Sequence, residues 1–186
     1  MAQPARKPAT YEDLRAVPSN RVGELLHGIV YSFPRPAMPH AIASAALGEE
    51  LGPPFKRGKG GPGGWLTVDE PELHLVSDVL VPDLAGWRRE RLPATLDVAA
   101  MDVAPDWVCE VLSPSTESID RADKASIYLR EQVRHMWFVD PIAKTLEVFR
   151  LDGETYRMVH VWRDDAVVRA EPFDAIELEL AVLWAR

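Results

Sequence analysis

The sequence predicts an α/β (α+β) fold, with a central mixed β-sheet flanked by helices and additional β-hairpins toward both ends. Three observations carry this. Strand-like and helix-like stretches interleave along the chain, in the order helix, hairpin, helix, strands, helix, strands. The run 107–112 is apolar on both alternating faces apart from Glu110, which marks a central strand covered on both sides. The segment TLEVFRLDGETYRMVHVW reads as two strands joined at Asp152-Gly153. At 186 residues the chain suits one domain, expected over 10–186 behind a flexible tail at 1–9.

The elements follow in order. Thr10 precedes a short helix as N-cap, with Asp13 at the capping-box position. His27-Gly28 is a tight turn between two short strands within 21–33, and Pro34, Pro36 and Pro39 end that pattern. The Ala-rich stretch 40–51 is a helix opened by His40, read as a structural position. A Gly/Pro/Lys loop is expected over 52–64, carrying Lys56, Arg57 and Lys59. Strands follow in GWLTVDEPELHLV and DVLVPDLAGW, then the strand at 107–112, the loop SPSTES and the clearest helix, 119–133. HMWFVDP is a strand stopped by Asp140-Pro141, and DDAVVRAEPF is expected to add an edge strand. IELELAVLW fits a strand or a short helix.

Composition narrows the function classes. The net charge is −8, which weakens broad, non-specific nucleic-acid binding and suits a carboxylate site that expects a cation. The single cysteine, Cys109, leaves no internal disulfide, so a reducing, cytoplasmic location is expected. No apolar h-region follows the first basic residues and no apolar run reaches membrane-spanning length, so neither a signal peptide nor a membrane span is expected. Ser113 and Ser115 lack a nucleophile elbow and an evident base, which argues against a serine hydrolase. The scattered tryptophans read as core rather than as a stacking platform.

The chemistry centres on Glu110. A carboxylate inside an apolar strand costs several kcal/mol unless it meets a cation or a proton. Asp83 closes the apolar run VLVPDL, where Pro82 implies a strand end. If that run neighbours 107–112, the two acids converge, and a divalent ion between them relieves their repulsion. Asp120 and Lys124 are i, i+4 neighbours on the following helix, with Ile127 and Tyr128 on the same side. That places the Lys124 ammonium toward Glu110.

VPDLAGW, then PDWVCEVLSPSTESIDRADKASIYLREQVRHMWFVDP, with GELLHGIVYSFPRPAMPH upstream, resembles the Uma2 (DUF820-type) family of the PD-(D/E)xK, restriction-endonuclease-like superfamily. The resemblance spans roughly residues 10 to 180. It implies a restriction-endonuclease-like core and a metal-dependent endonuclease acting on phosphodiester bonds of nucleic acid, DNA first. It implies Asp83 and Glu110 as ligands of Mg²⁺ (or Mn²⁺), the Val111 carbonyl as a further ligand, and Glu24 as an acid completing the site. The usual motif would put lysine at 112, where this chain has Leu112; Lys124 fits a lysine moved onto the next helix, positioned by Asp120. The basic residues at 56–59 are candidates to touch the nucleic-acid backbone. Open strand edges make a homodimer the expected assembly. The competing reading keeps the same fold without catalysis, with Glu110 and Lys124 as a structural ion pair in an interaction protein.

Overall fold

The computed structural model describes residues 7–185. Part of the expected tail, residues 1–6, lies outside them, while the Ala9 amide donates to the Gly28 carbonyl at 2.8 Å. Helix α1, Tyr11–Arg15, has the capping box read from the sequence: Thr10 Oγ1 accepts from the Asp13 amide and Asp13 reaches back to the Thr10 amide. Strands β1 (Val22–Leu26) and β2 (Ile29–Phe33) form a hairpin. Its two turn residues, His27 (φ 52°) and Gly28 (φ 76°), both lie in the left-handed region, as a type I′ turn requires.

Helix α2, Met38–Leu51, starts two residues earlier than expected. It does not stop at Gly52 but runs on as a π-helical turn, Gly52–Lys56, so the loop predicted over 52–64 is partly helical. Pro53 and Pro54 lack amide protons, and the chain meets this with wider hydrogen bonds, Arg57 N–H donating to the Gly52 carbonyl.

The main sheet has six strands in the order β10-β9-β8-β7-β6-β3. They are β3 (Trp65–Asp69), β6 (Leu84–Arg88), β7 (Trp107–Val111), β8 (His135–Asp140), β9 (Thr145–Asp152) and β10 (Thr155–Arg163). All pairs are antiparallel except β7 with β8. Their connection is helical: α3 (Glu117–Ile119), a π-helical turn (Asp120–Lys124) and α4 (Ala125–Arg130) run end to end. A parallel pair needs such a crossover, which accounts for the mixed sheet. A second sheet has the order β2-β1-β5-β4, adding β4 (Leu73–Leu75) and β5 (Asp78–Leu80). The stretch DVLVPDLAGW therefore divides between two sheets, and Pro82-Asp83 is the crossing point.

Burial on both faces of β7 follows the alternation. Trp107, Cys109 and Val111 face one core with α2, Trp65, Trp137 and the C-terminal segment. Val108 and Leu112 face another with Ile127, Tyr128 and leucines of the second sheet. Gly86 is required where β6 passes between two indoles: a Cβ there would stand 3.1 Å from Trp107 and 3.3 Å from Trp65.

Three further expectations are corrected. The β9–β10 turn is Gly153-Glu154, one residue later than expected, because Asp152 pairs with Thr155 inside the ladder. Val167–Val168 forms no edge of the main sheet; as β11 it pairs with β12 (Leu178–Glu179) in a separate two-stranded sheet. The C-terminal stretch is both a strand and a 3₁₀ turn, Leu180–Trp184, which buries Leu180 and Leu183 against α2.

Candidate active site

The site stands at the carboxyl end of β7, where the two sheets and the α3–α4 helix meet. β6 lies antiparallel beside β7, with Leu84 opposite Cys109, so Asp83 emerges beside the last residues of β7. Asp83 Oδ2 accepts the Val111 amide at 2.7 Å, and Oδ1 is 3.1 Å from His40 Nε2. The convergence expected from the sequence is present: Asp83 and Glu110 line one cavity of about 280 Å³, together with Glu24, Asp120 and Lys124.

Lys124 is the hub. Its Nζ lies 2.7 Å from Glu110 Oε2, 3.2 Å from Glu24 Oε1 and 3.4 Å from Asp120 Oδ1. The ammonium also donates to the Val81 carbonyl at 3.4 Å. Glu110 Oε1 accepts the Tyr128 hydroxyl at 2.5 Å, and Glu24 Oε1 accepts the Val81 amide at 2.7 Å. Asp120 and Lys124 sit at the two ends of the π-helical turn, where the Ala125 amide donates to the Asp120 carbonyl five residues back.

Three carboxylates face one lysine here, and nearly all of it is buried: Glu110 is 1 %, Glu24 3 % and Lys124 3 % exposed. Burial disfavours charge, so the carboxyls of Glu110, Glu24 and Asp120 are pushed up from their ordinary values, despite the pull of the Lys124 ammonium. For Lys124 burial works downward, but Glu110 and Glu24 outweigh it and hold the ammonium charged. His40 behaves likewise: burial lowers it, and the Asp83 bond brings it above its ordinary value.

His40 is the residue that sequence reasoning undervalued. The His that opens the helix after the β1–β2 hairpin was the available signal, but a histidine in the first turn of a helix is ordinarily structural. Its Asp83 contact comes from a tertiary juxtaposition of α2 with the β5–β6 crossing. Conversely, the basic loop at 56–59 does not line the cavity. Lys56 Nζ is tied to the Thr67 carbonyl at 2.9 Å, and the loop joins β3 at Trp65, the end remote from Asp83.

Among the described residues no three His, Cys, Asp or Glu side chains are gathered as a ready ligand set. The donors nonetheless fit a hard divalent cation by their chemistry. They are carboxylate oxygens in excess over the one lysine, and each carboxylate has about four lone-pair sites. Glu110 and Asp83 use only some of theirs on Lys124, Tyr128, Val111 and His40.

The fold is restriction-endonuclease-like, and the comparisons agree. A solved structure from Anabaena variabilis, described as "a putative nuclease belonging to DUF820", superposes with a TM-score of 0.73 at 20 % identity, over 95 % of this chain and 98 % of that one. No curated protein matches the sequence. The family model Uma2, described as "Putative restriction endonuclease", matches residues 8–182, and the chain belongs to that family.

Proposed function

We propose that this protein is a divalent-metal-dependent endonuclease that hydrolyses phosphodiester bonds of nucleic acid, with DNA as the first substrate to test. The observation that carries this reading is the buried cluster of Glu24, Glu110 and Asp120 around Lys124, opening on the cavity that Asp83 also lines. Asp83, Glu110 and the Val111 carbonyl would hold Mg²⁺ or Mn²⁺, with Glu24 completing the acidic set. When bound, the ion would supply Lewis-acid polarisation of the phosphate and a more acidic water.

The chain's own residues do the rest. Lys124 presents a fixed positive charge where the attacked phosphate gathers negative charge. Asp120 positions Lys124, and Tyr128 positions Glu110. His40 holds one oxygen of Asp83 and the Val111 amide holds the other, so the acid cannot swing out of the cavity. The active species is expected to be a homodimer. β10 is an open edge of the main sheet with Met158 51 % and Val161 44 % exposed, and sedimentation would read the mass.

A second reading is favoured by one observation: Lys124 already pairs closely with Glu110. On that reading the protein is a catalytically inactive relative that uses the cluster for stability. Cleavage assays on supercoiled plasmid and on single-stranded DNA, with Mg²⁺ or Mn²⁺, separate the two. The nuclease reading expects cleavage by the wild type that disappears with EDTA and in Glu110→Gln and Asp83→Asn. Absence of wild-type cleavage of these substrates, and of single-stranded RNA under the same conditions, leaves the structural reading.

A further inference from the structure

The second sheet carries a feature that phosphodiester chemistry alone does not use. β2 is one of its two edge strands and pairs with β1. Glu24 stands opposite Tyr31 and Val22 opposite Phe33, and directly opposed residues project from one face of a sheet. Tyr31 and Phe33 therefore share the face that bears Glu24 of the acid cluster. Their rings are parallel, 6.2 Å between centroids with planes 4° apart, and neither is fully buried. Phe33 lines the cavity itself.

Arg35 follows at the cavity lip. Its side chain is 57 % exposed and, among the described residues, is held by Glu70 at 3.6 Å, a surface pair of little strength. Pro34 and Pro36 fix the backbone on either side of it. An aromatic pair two residues apart on a strand, beside an exchangeable cation, is the chemistry that stacks bases and meets a phosphate.

The dimensions point the same way. The cavity is about 280 Å³ and its floor groups, Glu110 and Lys124, are nearly sealed from solvent. A nucleotide that enters such a pocket must leave its stack, and the cost of unstacking is least for a strand that is already single. The net charge of −8 also withholds the broad phosphate attraction on which duplex binding draws, leaving stacking a larger share.

We propose that Tyr31, Phe33 and Arg35 form a stacking platform for single-stranded nucleic acid, which enters the cavity as an unpaired nucleotide. The proposal rests on the phosphodiester reading and names its substrate class. Bases stack on Phe33, extending the Tyr31–Phe33 pair, while Arg35 exchanges Glu70 for a backbone phosphate.

Fluorescence anisotropy on the full chain in EDTA tests it without catalysis. The probes are a labelled single-stranded DNA of about 16 nucleotides, long enough for one site, the RNA of the same sequence, and the blunt DNA duplex. At least one single strand is expected to bind about tenfold or more tighter than the duplex, and the tighter of the two identifies the sugar. Phe33→Ala is expected to weaken that binding about fivefold or more, and Phe33→Trp to retain it. Arg35→Ala is expected to lower the salt slope of single-strand binding by about 0.7. Duplex binding equal to or tighter than both single strands overturns the proposal and leaves the phosphodiester reading standing. So does unchanged binding by Phe33→Ala with a wild-type circular dichroism spectrum. Failure to bind any of the three probes overturns both.

Discussion

The two faces of β7 share one backbone and carry opposite chemistry. On one face Trp107, Cys109 and Val111 join an apolar core in which the Phe173 ring centroid lies 4.8 Å from Trp107, 4.9 Å from Trp65 and 5.7 Å from Trp137. On the other, between Val108 and Leu112, Glu110 meets a buried lysine and a tyrosine hydroxyl. The strand backbone is common to both, so the contrast isolates what each face is for. The aromatic face gains from area and packing alone. The charged face gives up part of that gain to hold carboxylates out of water, a cost that a core has no reason to carry unless the charge is used.

Substitutions on each face sharpen this contrast. The largest effect is expected from Lys124→Met, which leaves Glu24, Glu110 and Asp120 buried around no cation. It should cost about 3–5 kcal/mol of stability in urea unfolding and reduce cleavage per folded molecule by about 100-fold or more. On the opposite face, Phe173→Ala should cost a similar ~3–5 kcal/mol, yet leave cleavage per folded molecule at the wild-type level. If both substitutions lowered specific activity alike, the division of labour between the faces would be wrong.

Tyr128→Phe is intermediate. It removes only the donor to Glu110 Oε1, so a loss of about 1.5–3 kcal/mol in unfolding free energy is expected, as for a hydrogen bond to a charged group. The pH dependence should carry the same signature. Glu24, Glu110 and Asp120 keep their protons to higher pH folded than unfolded, so folding takes up protons at these groups. Their contribution to stability is complete below the ordinary carboxylate range and is lost as pH rises through the elevated folded values. Urea midpoints measured upward from the ordinary glutamate value of 4.5 should fall less steeply in Glu24→Gln than in the wild type. The smallest effect belongs to a solvated surface pair. Arg169 and Glu177 are 3.4 Å apart with both side chains more than half exposed. Arg169→Ala should move stability by no more than about 0.5 kcal/mol.

Much of this architecture was legible because it is local. The Thr10 capping box, the His27-Gly28 turn and the two-faced burial of β7 follow from spacing within a few residues. Glu110 was legible for the same reason, since a lone acid in an apolar run asks for a partner, and Lys124 stood one crossover away. What the sequence concealed depends on long-range placement or on backbone detail. The division of DVLVPDLAGW between two sheets places Asp83 at their junction, and no periodicity reports that. The Asp83 contact to His40 needs α2 to pack across that junction. Both π-helical turns escape a 3.6-residue pattern, and the edge strand expected at 167–168 pairs instead with a partner ten residues further on.

The central claim is that Glu110 lies within β7 to help hold a divalent cation. Isothermal calorimetry of Mn²⁺ into the wild-type chain, Glu110→Gln and Asp83→Asn tests it most directly. Saturable binding by the wild type, lost in both variants while their circular dichroism is unchanged, is the predicted result. No binding by the wild type, with Glu110→Gln strongly destabilised, would contradict the claim and leave Glu110 as the structural partner of Lys124.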